Sequence, residues 1–443
     1  MQIIKKISSL LSTPDDKKLI ITPELENSLG LFEFSNTNLF ITGKAGTGKS
    51  TLVKFIREKS KKKIVVLAPT GLAALNVGGQ TVHSFFGFPP KLITRDSIYK
   101  ARYDLLYKQV DTIIIDEASI LRADLLDGID YFLRVNGRDI SRPFGGVQIV
   151  LVGDLYQLPP VVSTNERETY FKYYDSPYFF SAKTFMDAGF KTIELMHIFR
   201  QKDDEFISLL NKIRNAEATY DDMQILNQQV ISESLMTYPK PVTLATTNRV
   251  VNNINLEELS QIDNPTHRYE AEIEGDFPTK EGGLPVELEL TLKVGARVLF
   301  LKNDVDKKWV NGSLGTVSKL DKKCIHVKLD TGKEAEVTPD YWTNIKYEFN
   351  KKTNRIEEKV IGKLIQYPLR LAWAITVHKS QGMTFSKVHL DFTHSPFTHG
   401  QTYVAISRCQ TIQGISLTRG IYPNDILLDQ KIVEFSNRRE MLK

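Results

Sequence analysis

The length, composition and charge of the chain set the first limits on what it can be. Its 443 residues are too many for one ordinary hydrophobic core, so we expect two to four domains. Hydrophobic residues make up 41% and charged residues 25%, with a net charge of +5, which describes a water-soluble globular protein and allows a polyanionic partner without requiring one. No uninterrupted apolar stretch reaches 18 residues, so we expect no membrane-spanning helix and no membrane partner.

The cysteines and the N-terminus bear on location. Cys324 and Cys409 have no metal-binding spacing and provide no disulfide framework. The first residues lack a signal-peptide cleavage pattern, and Asp15 and Asp16 argue against a transit peptide. We therefore expect a cytoplasmic protein in a reducing bacterial or viral setting, rather than in a nucleus or mitochondrion. We also expect a monomer.

The first predicted element is a buried strand at 38–42, followed by a glycine-rich turn and a helix that starts near Thr51. The turn fits G-x-x-x-x-G-K-S, and strand, turn and helix together are typical of a phosphate-binding loop. Backbone N–H groups converge on an anion there, and the helix N-terminus adds positive potential. Lys49 would reach the β- and γ-phosphates, and the Ser50 hydroxyl would ligate Mg²⁺. The predicted nucleotide contacts are Gly43, Ala45, Gly46, Thr47, Gly48, Lys49, Ser50 and Thr51.

Three further apolar runs, at 64–68, 113–115 and 147–152, end abruptly in small or polar residues. Continuous apolar runs separated by helical stretches indicate a parallel α/β sheet, in which ligands bind beyond the carboxyl ends of the strands. The candidate chemical residues all follow those ends. We assign this first lobe to residues 1–190 and interpret the aromatic, basic segment 85–109 as a small wedge insertion.

Two of these strand ends carry candidate catalytic groups. Asp116 can hold Mg²⁺, and Glu117 can polarise the water that attacks the γ-phosphate. An Asp-Glu pair on its own is more often a solvated loop, but its position after a buried strand downstream of the phosphate loop favours catalysis. Gln157 follows the next strand and is placed to sense the γ-phosphate or the water, although a proline-rich loop with a solvent-facing glutamine is the alternative.

A second α/β unit is predicted over 191–294 and 364–443, with a strand at 242–245. Between its two parts, residues 295–363 change to short alternating runs with Gly and Lys turns, which predict a small inserted β-barrel. The unit contributes Arg200 and Arg408, each at the end of a short apolar segment. Most arginines are surface charges, but two lobes facing each other across a nucleotide would let these stabilise the charge that develops on the γ-phosphate.

The motif series resembles that of superfamily 1 helicases, and specifically the petite-integration-frequency family of 5′-to-3′ DNA helicases. The resemblance is carried by the phosphate loop and by segments 68–74, 81–85, 115–119, 143–148, 152–160, 199–201, 378–384 and 403–408. It implies two RecA-like lobes, an SH3-type barrel that includes 311–317, and Gln381 and Gly382 at the ATP cleft. It also implies roles such as DNA repair, recombination or telomere maintenance. The family often carries a glutamine that reads adenine where this chain has Leu25, so adenine selectivity is left open.

Single-stranded DNA contacts are predicted from the family resemblance and, separately, from the types and positions of the residues. The resemblance places Thr70, His378 and Ser380 near the strand, with Pro69 beside them. Residues just past strand ends or at helix starts can grip phosphates, which adds His83, Thr246 and Asn248. Phe86, Phe88 and Pro89 could stack on bases or wedge a duplex junction, although such aromatic residues are more often core.

We therefore predict an ATP- and Mg²⁺-dependent helicase that moves 5′ to 3′ on single-stranded DNA and unwinds forked or tailed duplexes, with G-quadruplexes or RNA–DNA hybrids as further candidate substrates. Two alternatives stay open. One is a RecD-type subunit without independent unwinding, and the other is a nucleotide-switched binding module that does not move.

Overall fold

The structure is a computed structural model that describes residues 22–101, 105–201, 203–232, 240–279 and 284–440. The predicted N-terminal segment before Thr22, and residues 102–104 of the predicted wedge, lie outside the described residues. No helix in the described ranges is long and apolar enough to cross a membrane.

The first lobe is built on a six-stranded parallel sheet. Its strands are β1 (Leu39–Gly43), β2 (Ile64–Ala68), β3 (Gln80–Thr81), β4 (Thr112–Ile115), β5 (Gln148–Gly153) and β6 (Lys191–Leu195), in the order β3-β2-β4-β5-β1-β6. The helices around it are α1 (Pro23–Phe34), α2 (Lys49–Lys59), α3 (Gly71–Val77), α4 (Val82–Phe86), α5 (Leu105–Gln109), α6 (Ala123–Asn136), α7 (Thr164–Tyr170) and α8 (Lys183–Asp187). The strands are buried on both faces because helices cover both sides of the sheet, which explains their continuous apolar sequences.

The boundary between the lobes lies later than predicted. The sequence pattern assigns residues 191–195 to the second lobe, but this strand, β6, pairs in parallel with β1, with Ile193 opposite Ile41. Its alternate residues Ile193 and Leu195 are buried in the core of the first lobe, so the sheet of that lobe gains an edge strand that the apolar pattern alone does not assign.

The segment after α4 adds to the core of the first lobe instead of leaving it. The rings of Phe86 and Phe88 stack with centroids 5.3 Å apart, and both make edge contacts with Phe132 of α6. Phe86 is 1% exposed and Phe88 is 5% exposed. Neither ring offers a free face, so their predicted role in stacking on DNA bases is corrected by their burial.

The chain enters the second lobe near Arg200, since Arg200 and Gln201 donate to the backbone carbonyls of Ser407 and Cys409 in that lobe. The first helices and strand of the second lobe are α9 (Asp204–Arg214), α10 (Tyr220–Asn227), β7 (Val242–Ala245) and α11 (Asn248–Ser260). An all-β insertion follows. Its strands are β8 (His267–Glu270), β9 (Glu272–Gly275), β10 (Glu289–Leu292), β11 (Arg297–Phe300), β12 (Leu314–Leu320), β13 (Ile325–Leu329), β14 (Glu334–Val337), β15 (Asp340–Asn350), β16 (Arg355–Gln366) and β17 (Leu369–Leu371).

The insertion is wider than the predicted 295–363. Strands β8 to β10 precede that range, and β17, which follows it, completes the five-stranded antiparallel sheet β14-β13-β12-β11-β17. The long hairpin β15–β16 pairs with β9 in a separate sheet and reaches the first lobe, where the Tyr347 hydroxyl lies 3.3 Å from both the N and the O of Val66. The closure of these strands into an SH3-type barrel stays a prediction.

The chain then returns to the second lobe with β18 (Ala374–Thr376), β19 (Val388–Asp391), α12 (Gln401–Ile406), β20 (Ile415–Leu417) and α13 (Gln430–Glu440). The second sheet is parallel in the order β18-β7-β19-β20. The two parallel sheets confirm the predicted α/β class with two lobes. Helix α13 crosses to the first lobe, where Ile432 is fully buried and the Phe435 ring stacks on Phe180 at 4.4 Å.

Candidate functional site

The glycine-rich loop between β1 and α2 has the backbone shape that binds phosphate. Gly46 and Gly48 have φ of +85° and +83°, which L-residues with a side chain rarely adopt. A Cβ on Gly46 would lie 2.5 Å from Cβ of Arg200, so the glycine also lets the second lobe approach the loop. The Lys49 ammonium donates to the carbonyls of Gly43 and Lys44 at 2.6 and 2.9 Å. The loop therefore holds the lysine where a phosphate would meet it.

A cavity of about 750 Å³ opens over this loop and lies between the two lobes. Its walls include Ala45, Gly46, Thr47, Gly48, Lys49, Ser50, Thr51, Asp116, Glu117, Gln157, Arg200, Gly382 and Arg408 from the predicted set. Gly43 is buried beneath it, and Gln381 reaches it through hydrogen bonds to two of the lining residues. The structure thus brings together residues separated by up to 365 positions in the sequence, from Gly43 to Arg408.

The two acidic residues after β4 differ in environment. Asp116 is 4% exposed and accepts a hydrogen bond from the Glu117 N–H at 2.9 Å. Glu117 has φ of +53°, an uncommon conformation for a residue with a side chain, which turns it into the cavity. Burial, followed by the charge of Asp116, raises the pKa of Glu117 to about 7, and burial also raises the pKa of Asp116. A carboxyl group poised near pH 7 suits a general base.

Gln381 joins the acidic pair to the sensor loop, residues 154–157, which follows β5 and carries Gln157. Its side-chain nitrogen donates to Glu117 Oε2 at 3.0 Å and to Gln157 Oε1 at 3.1 Å. Gln381 belongs to the second lobe and the other two residues to the first. A second-lobe amide therefore bridges the candidate base and the candidate γ-phosphate sensor.

Sequence reasoning missed an ion pair behind this network. Arg214, the last residue of α9, donates to Asp154 at 3.1 Å, and its guanidinium lies 3.8 Å from the centre of the Tyr156 ring. Burial alone would raise the pKa of Asp154, but Arg214 and Lys49 outweigh it and hold that pKa below its usual value. Asp154 in turn accepts from Gln157 at 3.3 Å, so the ion pair orients the sensor loop. No local pattern marks Arg214, since its partner lies 60 residues earlier.

Both candidate arginines line the cavity. Arg200 donates to the Ser407 carbonyl at 3.4 Å, and Arg408, which is 1% exposed, donates to the Val404 carbonyl at 2.9 Å. Burial lowers the pKa of Lys49, Arg200 and Arg408, and for Arg408 the neighbouring Arg200 adds to the effect. Three cations that burial disfavours share one cavity, which is the electrostatic arrangement that a polyphosphate would relieve.

Oxygen donors suitable for Mg²⁺ are present on the same wall. The Ser50 hydroxyl and the Asp116 carboxylate both line the cavity, and Mg²⁺ prefers such oxygen ligands. Within the described ranges, no group of three or more His, Cys, Asp and Glu side chains is arranged to hold a metal ion. The residues present therefore fit a magnesium ion that arrives with phosphate oxygens and water, not an all-protein cage.

The cavity lining also includes residues outside the predicted set, namely Thr22, Leu25, Leu195, His197 and Phe199. The rings of His197 and Phe199 are in edge contact, with centroids 4.4 Å apart. Leu25, the residue at the position of the family's adenine-reading glutamine, therefore lines the cavity.

The predicted DNA residues fall into two groups. Thr70, Asn248 and His378 are exposed at the carboxyl edges of the two sheets, and Pro69, His83 and Pro89 are half-buried. Thr246 and Ser380 differ from the prediction. Thr246 is 3% exposed and its hydroxyl donates to His394 O at 3.4 Å, while Ser380 is fully buried and its hydroxyl donates to Val377 O at 2.7 Å. Since both hydroxyls are buried and already donate within the lobe, direct DNA contact by these two side chains is corrected.

The fold and the cavity together define a two-lobed, P-loop nucleotide-binding protein. The profile of the PIF1-like helicases matches residues 27–224. The "ATP-dependent DNA helicase Pif1" of Bdellovibrio bacteriovorus is 32% identical over 436 residues, covering 95% of this chain and 93% of its own length. The chain therefore belongs to the PIF1-like helicase family.

Solved structures agree with this assignment. Bacteroides sp Pif1 in complex with ADP-AlF4 superposes with a TM-score of 0.88 at 39% identity, covering 96% of this chain and 98% of its own. A structure described as the basis for DNA unwinding at forked dsDNA by two coordinating Pif1 helicases has the same coverage and 38% identity, but a TM-score of 0.70. The chain therefore superposes better on the ADP-AlF4 complex than on the structure with forked DNA.

Proposed function

We propose that this chain is an ATP-dependent DNA helicase that translocates 5′ to 3′ along single-stranded DNA and displaces the complementary strand. The observation that carries the proposal is the cavity itself, because cations and hydrogen-bonding groups from both lobes converge on the phosphate loop. A site with two walls from separate lobes can convert nucleotide binding and release into lobe movement. The matched relatives are named as DNA helicases, which supports DNA as the polymer on which this chain acts.

The residues of the cavity are assigned the following roles in hydrolysis. The phosphate loop and Lys49 hold the β- and γ-phosphates, and Glu117 accepts a proton from a water molecule. The oxygen of that water forms a bond to the γ-phosphorus as the bond to the β–γ bridging oxygen breaks, giving ADP and inorganic phosphate. Arg200 and Arg408 stabilise the charge that spreads over the transferring group.

The remaining groups position the reaction. Gln157 contacts the γ-phosphate or the water, and Gln381 keeps Gln157 and Glu117 in register across the lobe boundary. Ser50 and Asp116 would hold a Mg²⁺ ion that arrives with ATP, and the ion would neutralise part of the phosphate charge.

The DNA path is assigned to the exposed carboxyl edges of the two sheets. Thr70 lies on the first lobe, and Asn248 and His378 lie on the second. When the lobes close and open, contacts at these edges alternate in strength, so that each cycle advances the protein along the backbone. One chain contains both walls of the nucleotide site, so hydrolysis needs no second copy of the protein. Two copies can still act at one DNA fork, as in the structure described with two coordinating Pif1 helicases.

Strand displacement on duplexes tailed on only one side tests the proposal. We expect ATP-dependent unwinding of the 5′-tailed duplex, none with the 3′-tailed duplex, and ATP turnover that single-stranded DNA stimulates. Lys49→Ala should abolish both activities, and Lys61→Ala, at an exposed lysine, should retain them. Unwinding confined to 3′ tails would refute the polarity, and turnover that DNA does not stimulate would support a binding module that does not move.

A further inference from the structure

His399 lies buried at the boundary between the lobes, immediately before helix α12. It is 8% exposed, with Nε2 2.9 Å from the carbonyl oxygen of Leu155 and Nδ1 3.1 Å from the backbone nitrogen of Asp429. A carbonyl can only accept and a backbone N–H can only donate. The imidazole is therefore neutral, with its proton on Nε2, and both ring nitrogens are engaged.

The Leu155 contact joins His399 to the sensor loop. Leu155 lies between Asp154, which pairs with Arg214, and Gln157, which pairs with Gln381. Gly400 packs against the same loop, and only a residue without a side chain fits there. A Cβ at this position would lie 2.5 Å from the carbonyl oxygens of both Tyr156 and Gln157. The backbone at 399–400 and the sensor loop thus pack directly against each other.

The same two residues begin the helix that completes the phosphate site. Gly400 caps α12, the Tyr403 hydroxyl accepts a hydrogen bond from Ala45 N, and Arg408 follows the helix end at the cavity. A displacement at 399–400 would therefore move Arg408 relative to Gln157.

Asp429, the hydrogen-bond partner of His399 Nδ1, also contacts the first lobe. Its carboxylate accepts from the Tyr178 hydroxyl at 3.0 Å, and α13, which follows it, buries Ile432 in the core of the first lobe. His399 is therefore held from both sides by groups that belong to, or are anchored on, the opposite lobe.

We propose that His399 is a positioning residue that holds the sensor loop against helix α12 through the Leu155 carbonyl, so that Gln157 and Arg408 act on the γ-phosphate together. This inference rests on the proposed function. His399 is not among the residues that line the nucleotide cavity, so we expect its effect on turnover and not on binding.

The two hydrogen bonds of His399 respond differently to pH. The charged groups facing His399 are Asp154 and Asp429, and the centroid of the Tyr156 ring lies 6.5 Å from that of the imidazole. Burial lowers the pKa of His399 below its ordinary 6.5, and the backbone carbonyls of Leu155 and Leu427 and these carboxylates oppose burial. Protonation would keep the N–H on Nε2 and its bond to the Leu155 carbonyl, but it would place a second N–H on Nδ1, facing the N–H of Asp429. The Leu155 contact is therefore present in both protonation states, whereas the Asp429 bond is lost as the pH falls below the pKa of the histidine.

Two substitutions separate the two hydrogen bonds. In His399→Gln the amide nitrogen reaches as far as Nε2 and can donate to Leu155, whereas in His399→Asn the amide oxygen can accept only from Asp429. We expect His399→Gln to keep kcat within about twofold of the wild type. We expect His399→Asn to lower kcat about tenfold, which corresponds to a loss of about 1.4 kcal/mol of transition-state stabilisation. The KM for ATP and the affinity for single-stranded DNA should stay unchanged. His394→Asn, at an exposed histidine, is the matched control.

The pH profile provides a second readout if His399→Asn does not fold. The ratio of wild-type kcat to His399→Gln kcat should stay constant from pH 8 to 5, because the donor to Leu155 is present in both proteins whether or not the histidine is protonated. Equal kcat in the Asn and Gln variants, or a ratio that falls as the histidine is protonated, would overturn the assignment. If the wild type shows no DNA-stimulated turnover, the proposed function fails instead, so the two failures are distinguishable.

Discussion

The hydroxyl of Tyr403 accepts a hydrogen bond from the backbone N–H of Ala45 at 3.0 Å, although the two residues are 358 positions apart. Ala45 belongs to the phosphate loop of the first lobe, and Tyr403 lies on helix α12 of the second. Both are buried, and burial raises the pKa of Tyr403 to about 12, so it is a neutral phenol at any physiological pH. The second lobe therefore helps to shape the phosphate loop.

Tyr403→Phe should weaken this support. The Ala45 N–H would lose its acceptor in a buried setting, which costs about 1–3 kcal/mol of unfolding free energy. We expect a lower urea midpoint and a higher ATP KM, with a smaller effect on kcat. Tyr220→Phe, at a tyrosine that is 74% exposed, is the control, and equal midpoints for the two variants would show that the hydroxyl contributes nothing.

The elevated pKa of Glu117 predicts a pH dependence of turnover. A general base must be ionised, so kcat should rise with pH through about 7 and level off above it. Glu117→Gln removes the base and should reduce kcat by about 10²–10⁴-fold. The kcat of this variant should no longer rise with pH through about 7. A wild-type kcat that stays constant from pH 5.5 to 8.5 would argue against Glu117 as the base.

The same carboxyl predicts an opposite effect on stability. Its folded pKa is raised, so its contribution to stability is present at low pH and is lost as the pH rises through about 7. Glu117→Gln removes the buried negative charge and should stabilise the protein at pH 8 by about 1–2 kcal/mol. Thermal unfolding at pH 8 and pH 5 tests this, and a variant that is less stable than the wild type at pH 8 would contradict it.

Phe86 should affect folding and not DNA binding. Phe86→Leu keeps most of the volume but loses edge and stacking contacts, so we expect about 1 kcal/mol of destabilisation. If the Phe86 ring stacked on a base, Phe86→Leu would instead weaken single-stranded DNA binding. The loss would be part of the roughly 1–3 kcal/mol that stacking of one base on an aromatic side chain contributes. Phe171→Leu, at a ring that is 43% exposed, is the control. Unchanged stability with weaker DNA binding would restore the original prediction.

The parts of the site that local sequence predicts are those at the ends of parallel strands. Asp116, Gln157 and the phosphate loop follow buried apolar runs, and the geometry of a parallel sheet brings such positions to one edge. Burial and long-range pairing are not local, which is why the partners of Arg214 and Tyr403 could not be predicted. For the same reason the apolar pattern could not assign strand β6 to the first sheet.

Composition alone also leaves the aromatic residues undecided. Phe86 and Phe88 have the same local pattern whether they face solvent or α6, and only the presence of Phe132 opposite them determines their burial. Likewise a threonine or serine after a strand fits a phosphate contact, but at Thr246 and Ser380 the hydroxyl donates to a nearby carbonyl.

The second-lobe arginines carry the central claim that the nucleotide is bound and hydrolysed between two walls. Arg200→Ala and Arg408→Lys should lower turnover by about 10³-fold or more. Alanine removes the positive charge that faces the transferring phosphoryl group, and lysine keeps the charge but loses the planar, bidentate guanidinium fork. Neither residue lies at the exposed sheet edges, so single-stranded DNA affinity should stay within about twofold of the wild type.

The most direct measurement is single-turnover ATP hydrolysis by Arg200→Ala at saturating single-stranded DNA, beside Arg268→Ala, whose side chain is 68% exposed on β8. The account predicts that Arg200→Ala loses about 10³-fold or more in the hydrolysis rate while it still binds ATP and DNA, and that Arg268→Ala keeps the wild-type rate. A hydrolysis rate for Arg200→Ala within about twofold of the wild type would contradict the claim that the second lobe completes the site.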